Sequence, residues 1–175
     1  MNWNAIRLFR LSNLFYRKNF KKIAAFISMF NRVITGVEIS PQAQIGKNFF
    51  IAHGNGIVIG AGSKIGDNCI IYHQVTMGVG RDSRFNPNGA ADDKFPEIGD
   101  GVVIYARAKI VGGITIGNNC EIGANAVVLT NIPDHAIAVG IPAKVVEIKA
   151  HYRDGRHYPC LKLRNFCHWN RASSW

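Results

Sequence analysis

The amino-acid sequence predicts a mainly β protein: a parallel β-helix built from six-residue repeats, with a short helical cap before it. Three observations support this fold class. Isoleucine recurs every six residues through most of the chain, glycine often follows it, and the first 36 residues lack this period. A helix with 3.6 residues per turn cannot keep every sixth residue on one face, whereas a strand with a period of two can.

The repeat runs in three blocks. Its apolar positions are Ile39, Ile45, Ile51 and Ile57, then, after a two-residue slip, Ile59, Ile65, Ile71 and Met77, and, after a long break, Ile98, Ile104, Ile110, Ile116, Ile122 and Val128. Internal periods of this kind indicate a solenoid. Three units close a triangular coil of about 18 residues, and coils stack at the strand spacing of about 4.8 Å.

The N-terminal segment predicts one bent helix or two short ones. Its apolar residues have helical spacing: Leu8, Leu11, Leu14 and Phe15, then Ile23, Phe26, Ile27 and Phe30. We expect this stripe to cover the open first coil, with the basic residues facing solvent. A role at a membrane surface is the alternative for the same segment.

The charge divides the chain into three parts. The net charge is +10, and residues 1–36 hold seven lysines or arginines and no acidic residue. Residues 37–149 are near neutral, whereas 150–175 are basic again and carry no repeat. We therefore expect a basic helical cap (1–36), a β-helix domain (37–149) interrupted by a loop at 79–97, and a basic tail (150–175). Basic ends suit an anionic membrane surface or an acidic glycan, and we expect no nucleic-acid partner.

The cysteines and the hydropathy pattern suggest a location. None of the four cysteines belongs to a C-x-x-C pair, so a structural zinc site is not expected. No apolar run reaches the roughly 18 residues of a membrane span. We expect a cytoplasmic protein with reduced thiols, and contact with the inner face of the membrane through the basic N-terminus stays open.

Four stretches resemble a known family. These are "GVEISPQAQIG", "IAHGNGIVIGAGSKIGDNCIIYHQVTMG", "PEIGDGVVIYARAKIVGGITIGNNCEIGANAVVL" and "AVGIPAKVV", which together span about residues 36–147. They resemble the hexapeptide acyltransferases, in the serine acetyltransferase branch. The basic helical start resembles the exopolysaccharide-type enzymes of that branch. The resemblance implies a left-handed coil, acetyl transfer from acetyl-CoA to a hydroxyl, and homotrimers with active sites between subunits.

The resemblance also implies the catalytic residues. The family's catalytic histidine falls on His53, and its carboxylate partner falls on Glu38. A neutral imidazole can take the proton of an attacking hydroxyl, and a carboxylate on the other ring nitrogen fixes its tautomer. Positions 38 and 53 are slightly less than one coil apart, so we expect them to meet across neighbouring turns. His73, one coil after His53, is expected either to help bind the acceptor or simply to fill a turn.

The cofactor and acceptor sites follow by the same comparison. The resemblance places acetyl-CoA against Gly78, Ala106, Ala124 and Lys144. Arg81, Lys94 and Phe95 belong to the loop and are expected near the acceptor. A zinc enzyme on this fold needs three converging histidines, and the sequence offers only His53 and His73 at suitable spacing, so no metal is expected.

The acceptor is the point where the sequence departs from serine acetyltransferases. The acid expected before the catalytic histidine is Ala52, and the Arg-His pair of the loop is Lys94-Phe95. These changes favour an O-acetyltransferase that acts on a saccharide in surface-polysaccharide assembly, with Phe95 stacked on the sugar. The alternatives are a serine O-acetyltransferase of cysteine biosynthesis and, without catalysis, a β-helix scaffold or glycan-binding protein.

Overall fold

In a computed structural model, the protein is described over residues 3–80 and 94–149. The chain begins with two helices, α1 (Trp3–Arg17) and α2 (Lys21–Thr35). Fifteen short strands follow in the described ranges: β1 (Val37–Ile39), β2 (Gln44–Ile45), β3 (Phe50–Ile51), β4 (Ile57–Ile59), β5 (Lys64–Ile65), β6 (Ile70–Ile71), β7 (Thr76–Gly78), β8 (Glu97–Ile98), β9 (Val103–Ile104), β10 (Lys109–Val111), β11 (Thr115–Ile116), β12 (Glu121–Ile122), β13 (Val127–Val128), β14 (Ala136–Val139) and β15 (Lys144–Ile148).

The strands form a three-sided parallel solenoid. Face A contains β1, β4, β7, β10 and β13, face B contains β2, β5, β8 and β11, and face C runs from β3 through β6, β9, β12 and β14 to β15. All pairings are parallel except the last, because β14 and β15 form an antiparallel hairpin at the C-terminal end of face C. The predicted mainly β solenoid with a helical start is confirmed, and it makes about four turns.

The core is the stack of repeat positions. Every apolar residue that the six-residue period selects is buried; the first, Ile39, is 1% exposed and the last, Val128, is 0% exposed. The strands of neighbouring coils are hydrogen-bonded in register. One isoleucine therefore lies directly above the next, as in Ile45↔Ile65 and Ile65↔Ile98. The long break in the repeat leaves the coil register intact, since the chain departs after β7 and returns at β8.

A ladder of short polar side chains supports the edge between faces B and C. The carboxylate of Asp67 accepts a hydrogen bond from the backbone N–H of Lys47 (2.6 Å), and Asp100 accepts one from Asp67 (2.7 Å). The amide oxygen of Asn118 continues the ladder to the N–H of Asp100 (2.8 Å), and Asp134 continues it to Asn118 (2.6 Å). Each coil therefore satisfies a backbone donor of the coil before it.

The helical cap contains two helices, as one of the two alternatives predicted, but its buried stripe differs from the expected one. Ala5, Phe9 and Ser12 of α1 are buried, whereas Leu11 and Leu14 are exposed. In α2 the buried residues are Ala24 and Asn31, and the predicted stripe residues Ile23, Phe26 and Phe30 are 45–63% exposed. The prediction that this stripe covers the first coil was therefore wrong for these five exposed residues, and the large apolar side chain that α1 buries there is Phe9.

Both apolar and polar contacts attach α1 to the first coil, since Ala5 and Phe9 join the hydrophobic core of the solenoid. The guanidinium of Arg10 donates to the carbonyl oxygens of Ile45 and Gly46, and the amide of Asn13 donates to Pro41 (2.8 Å). Backbone carbonyls at the open end of a solenoid lack a further coil to pair with, so side-chain donors are suitable partners for them.

Burial also decides the state of two cysteines. Cys69 and Cys120 are buried free thiols in the described part of the chain. Burial raises the pKa of Cys69 to about 11 and raises the pKa of Cys120 as well, so neither thiol is a ready nucleophile at neutral pH. Within residues 3–80 and 94–149, no helix has the length and apolarity to cross a bilayer.

Candidate active site

The edge between faces C and A carries a widened corner in the first coil. Strands β6 and β7 are joined through a three-residue corner, 72–74, before buried Val75, and the corresponding corner in the first coil is five residues long, 52–56. The two-residue slip seen in the sequence is therefore an insertion at one corner, and it changes no inward residue. His53 lies on this longer corner and is exposed.

The structure brings His53 and His73 together. Their ring centroids lie 6.3 Å apart with an interplanar angle of 70°, an edge-to-face arrangement between neighbouring coils. Counted from the end of face C, His53 and His73 occupy equivalent positions, because Ile51 is paired with Ile71. Because of the insertion, the backbone contact to the next coil is made two residues after His53, where the carbonyl of Asn55 accepts the N–H of Gln74 (2.8 Å).

Ala106 and Ala124 continue this line along the same edge. Face C pairs Ile71 with Ile104 and Ile104 with Ile122. Each alanine lies two residues after the end of its strand, as His73 does. The carbonyl of Ala106 accepts the N–H of Asn125 (2.9 Å), which ties the two coils together. Two small residues thus extend the edge beyond the two histidines and leave room beside it.

An open groove of about 510 Å³ runs next to this edge, on face A. It begins beside the widened corner and ends at the C-terminal hairpin, with the lining residues Gly56, Gln74, Thr76, Arg107, Lys109, Asn125, Val127 and Ile141. Two of these are cations and none is acidic. An elongated ligand that carries negative charge fits such a groove.

The two cations are held by one residue. The side-chain oxygen of Gln74 accepts a hydrogen bond from Nε of Arg107 (2.5 Å), and its backbone carbonyl accepts one from Nζ of Lys109 (2.9 Å). Gln74 and Arg107 both have left-handed backbones, with φ of 58° and 64°, which is uncommon outside glycine. The sequence-based predictions do not include these lining residues. The signal that would have found them is the 18-residue spacing that brings Arg107 and Asn125 to the same corner in successive coils.

Glu38 forms an ion pair with a residue other than His53. Its carboxylate lies 3.3 Å from Nη1 of Arg32, at the last turn of α2, and both side chains are largely exposed. Within the described ranges no hydrogen bond or ion pair joins Glu38 to the imidazole. The strand pairing explains the separation, because Glu38 faces outward on β1 beside Val58, whereas His53 lies on the corner before β4.

Lys94 and Phe95 lie at a different edge, between faces A and B. A Cβ built on Gly60 or Gly62 falls 2.4 Å from the ring of Phe95, so the ring covers both glycines. The stem of Lys94 covers Gly113 in the same way. The expectation that Phe95 stacks on a bound sugar has no support here, because its ring packs against its own chain.

The remaining candidates are dispersed. Gly78 ends β7 on face A, and a Cβ built there meets nothing within 4 Å. Lys144 is exposed at the start of β15, and Arg81 lies outside the described residues. Among residues 3–80 and 94–149, no group of three histidine, cysteine, aspartate or glutamate side chains is placed to hold a metal ion.

Comparisons with known proteins identify the relatives. Residues 95–130 match the family described as bacterial transferase hexapeptide (six repeats). The chain is 45% identical to a serine acetyltransferase of Staphylococcus xylosus, over 81% of this chain and 60% of that protein. It is 41% identical to a serine acetyltransferase of Helicobacter pylori strain 26695, over 82% of this chain and 80% of that protein.

Solved structures agree with this result. A serine acetyltransferase in complex with CoA superposes with a TM-score of 0.73 at 35% identity, covering 81% of this chain and 55% of that one. Soybean serine acetyltransferase complexed with serine gives a TM-score of 0.75, also at 35% identity, over 83% of this chain and 58% of that one. The chain thus spans little more than half the length of these solved relatives.

These relatives correct the expected acceptor. The sequence analysis favoured a saccharide, with serine as the alternative, yet the curated relatives at 40–46% identity are serine acetyltransferases. In the structure the ring of Phe95 is packed on Gly60 and Gly62, and Lys94 carries a positive charge beside it. The fold, the hexapeptide repeat and the extent of identity together place this chain in the serine acetyltransferase family of hexapeptide-repeat acyltransferases.

Proposed function

We propose that the protein is an acetyl-CoA-dependent serine O-acetyltransferase with His53 as its general base. The observation that carries the proposal is the exposed His53 on a widened corner, 6.3 Å from His73 and beside a groove lined by cations. Solved relatives described as complexes with CoA and with serine support the two substrates.

In the proposed reaction, His53 removes the proton of the serine hydroxyl as its oxygen attacks the thioester carbonyl. The new carbon–oxygen bond forms first, and the carbon–sulfur bond then breaks. The proton held by His53 passes to the departing CoA thiolate, so the imidazole returns to its neutral form. No cysteine of the described residues lies at this corner, which favours direct attack in a ternary complex over an acetyl-enzyme intermediate.

The groove is the proposed place for the CoA arm. Ala106 and Ala124 have short side chains, which leave room beside the edge. Arg107 and Lys109 supply positive charge for phosphate oxygens. Lys144 follows the groove's end at Ile141 by three residues, so it stays the proposed contact for the far end of the cofactor.

Glu38 is still the proposed partner of His53. This role requires the side chain of Glu38 to leave Arg32 and turn toward His53. The ion pair with Arg32 is exposed and therefore contributes little stability, so it does not prevent the carboxylate from turning toward the corner.

The acceptor site is proposed to lie between two chains. His53 and Lys94 belong to different edges of one solenoid, so a site that uses both requires a neighbouring subunit. Hexapeptide-repeat acetyltransferases are usually trimers, and we infer a homotrimer here, with Lys94 of one chain near His53 of the next. In such a site Lys94 provides the cation for the serine carboxylate. We place the reaction in the cytoplasm, where acetyl-CoA is available.

The base is tested by following thiol release from acetyl-CoA with serine as acceptor. His53→Ala is expected to lower turnover by a factor of about 100 to 10,000 with an unchanged unfolding midpoint. His135→Gln is the matched control, since it removes a histidine at another edge and keeps a side chain that this fold accepts at a similar φ (60° at His135, 58° at Gln74). Full activity of His53→Ala would contradict the mechanism.

The shared site is tested by mixing two inactive variants. His53→Ala and Lys94→Ala subunits, unfolded together and refolded as mixed trimers, are expected to recover part of the activity, because some interfaces then combine two intact edges. Each variant refolded alone is the control. If native mass spectrometry shows mixed trimers and no activity is recovered, both residues belong to the site of one chain.

A further inference from the structure

Helix α2 has its large apolar residues on the outside. Its buried residues are Ala24 and Asn31, and small polar side chains make the contacts to the rest of the protein: Ser28 donates to the carbonyl of Ile39 (3.1 Å) and Asn31 to that of Ala5 (3.0 Å). The opposite face is 45–77% exposed and consists of Ile23, Phe26, Met29, Phe30, Val33 and Ile34. We call these six residues the outer face of α2.

The spacing shows that this face is continuous. Positions 23, 26, 30 and 33 follow the i, i+3, i+7, i+10 pattern that aligns side chains along one side of a helix. A face of six adjoining apolar side chains is larger than the scattered exposed residues normal for a monomer, and such patches mark contact sites. The helix packs on its own protein through its small residues, so the outer face is left for another partner.

The charge around the outer face selects the partner. Residues 1–36 contain seven lysines or arginines and no acidic residue. Four exposed basic residues lie where α1 ends and α2 begins: Arg17, Lys18, Lys21 and Lys22. Contact between two copies of this segment would oppose like charges, whereas an anionic lipid surface provides opposite charge and an apolar layer together.

We propose that α2 docks on an anionic lipid bilayer, with its outer face in the headgroup and upper acyl region and its lysines against the lipid phosphates. This is peripheral contact, and it is independent of the reaction proposed above. Aromatic and aliphatic residues on one side of a helix with basic residues beside them are typical of helices that lie in a membrane interface. The groove lies on face A of the β-helix, whereas the outer face belongs to the helical cap.

The test is sedimentation of the full chain with lipid vesicles. Vesicles of equal parts phosphatidylcholine and phosphatidylglycerol are expected to carry down the protein, and pure phosphatidylcholine vesicles at least about tenfold less of it. Phe26→Ser/Val33→Ser is expected to abolish binding, since these side chains are 63% and 77% exposed. Val146→Ser, at a residue 62% exposed on β15, is the matched control and is expected to bind as the original protein does.

A second variant separates charge from apolar contact. Lys21→Gln/Lys22→Gln keeps the outer face and is expected to lower binding about tenfold or more, with a weaker salt dependence. Equal binding to neutral and anionic vesicles would overturn the proposal, as would failure of the original protein to bind either. Dissociation of the oligomer of Phe26→Ser/Val33→Ser, seen by light scattering, would likewise overturn it and assign the outer face to a second copy of this chain.

Discussion

Alanine at position 60 puts a methyl group where the ring of Phe95 lies. A Cβ built on Gly60 falls 2.4 Å from Cε1 of Phe95 and 3.2 Å from the carbonyl oxygen of Met77. Ordinary contacts of a Cβ begin at 3.4 Å, so the ring has to leave its place on the glycine turn. The backbone of Gly60 is not left-handed, and the collision with the ring is therefore the main effect of the substitution.

The magnitude follows from the burial of the ring. Inserting a methyl group into a packed site costs about 1–3 kcal/mol, and removing a fully buried phenylalanine side chain costs about 3–5 kcal/mol. Because Phe95 is only half-buried, we expect Phe95→Ala to cost about 2 kcal/mol, and Gly60→Ala a similar amount, in the free energy of unfolding. In the double variant the methyl occupies space that the ring has vacated, so the cost is expected to stay near 2 kcal/mol instead of 4.

Urea denaturation of the four proteins measures this coupling. Gly78→Ala is the matched control, since a Cβ there meets nothing within 4 Å, and its effect is expected to stay within about 0.5 kcal/mol. If the two single effects add to within about 0.5 kcal/mol in the double variant, the ring does not lie on Gly60 and the assignment of Phe95 to its own chain fails.

Three further predictions test the solenoid itself. Ile104→Ala, at 0% exposure, is expected to lower the free energy of unfolding by about 2–5 kcal/mol, and Val58→Ala, at 36%, by less than about 1 kcal/mol, both measured with urea. Asp100→Ala is expected to cost about 0.5–1.5 kcal/mol and Asp100→Asn less, because Asn118 fills the same place in the next coil; equal losses in thermal unfolding would count against the ladder. Burial raises the pKa of Cys69 from 9.0 to about 11, so the folded state holds this proton more tightly. Stability is therefore expected to fall between pH 9.0 and about 11 and to fall less in Cys69→Ala; an unchanged alkaline profile would be the contrary result.

The repeat by itself determined the fold and the core. A strand has only two sides, so a strict period that keeps Ile45, Ile65 and Ile98 in phase leaves one choice of interior, and all three are buried in register. The sequence also brought His53 and His73 to neighbouring coils, since subtracting the two-residue slip leaves one turn between them. What it could not assign was the location of that slip, which the strand pairing places at the corner carrying His53.

Only the tertiary structure decided which face of a helix is buried and where a loop residue packs. Helix α2 has both a small polar stripe and a large apolar one, and local spacing does not say which is buried; the carbonyls of Ile39 and Ala5 select the stripe of Ser28 and Asn31. Phe95 belongs to no repeat, so only the glycine turn beneath it fixed its place. In a closed coil, strands whose side chains alternate have only one possible set of inward-facing residues. Helices and loops take their orientation from partners that lie far away in the sequence.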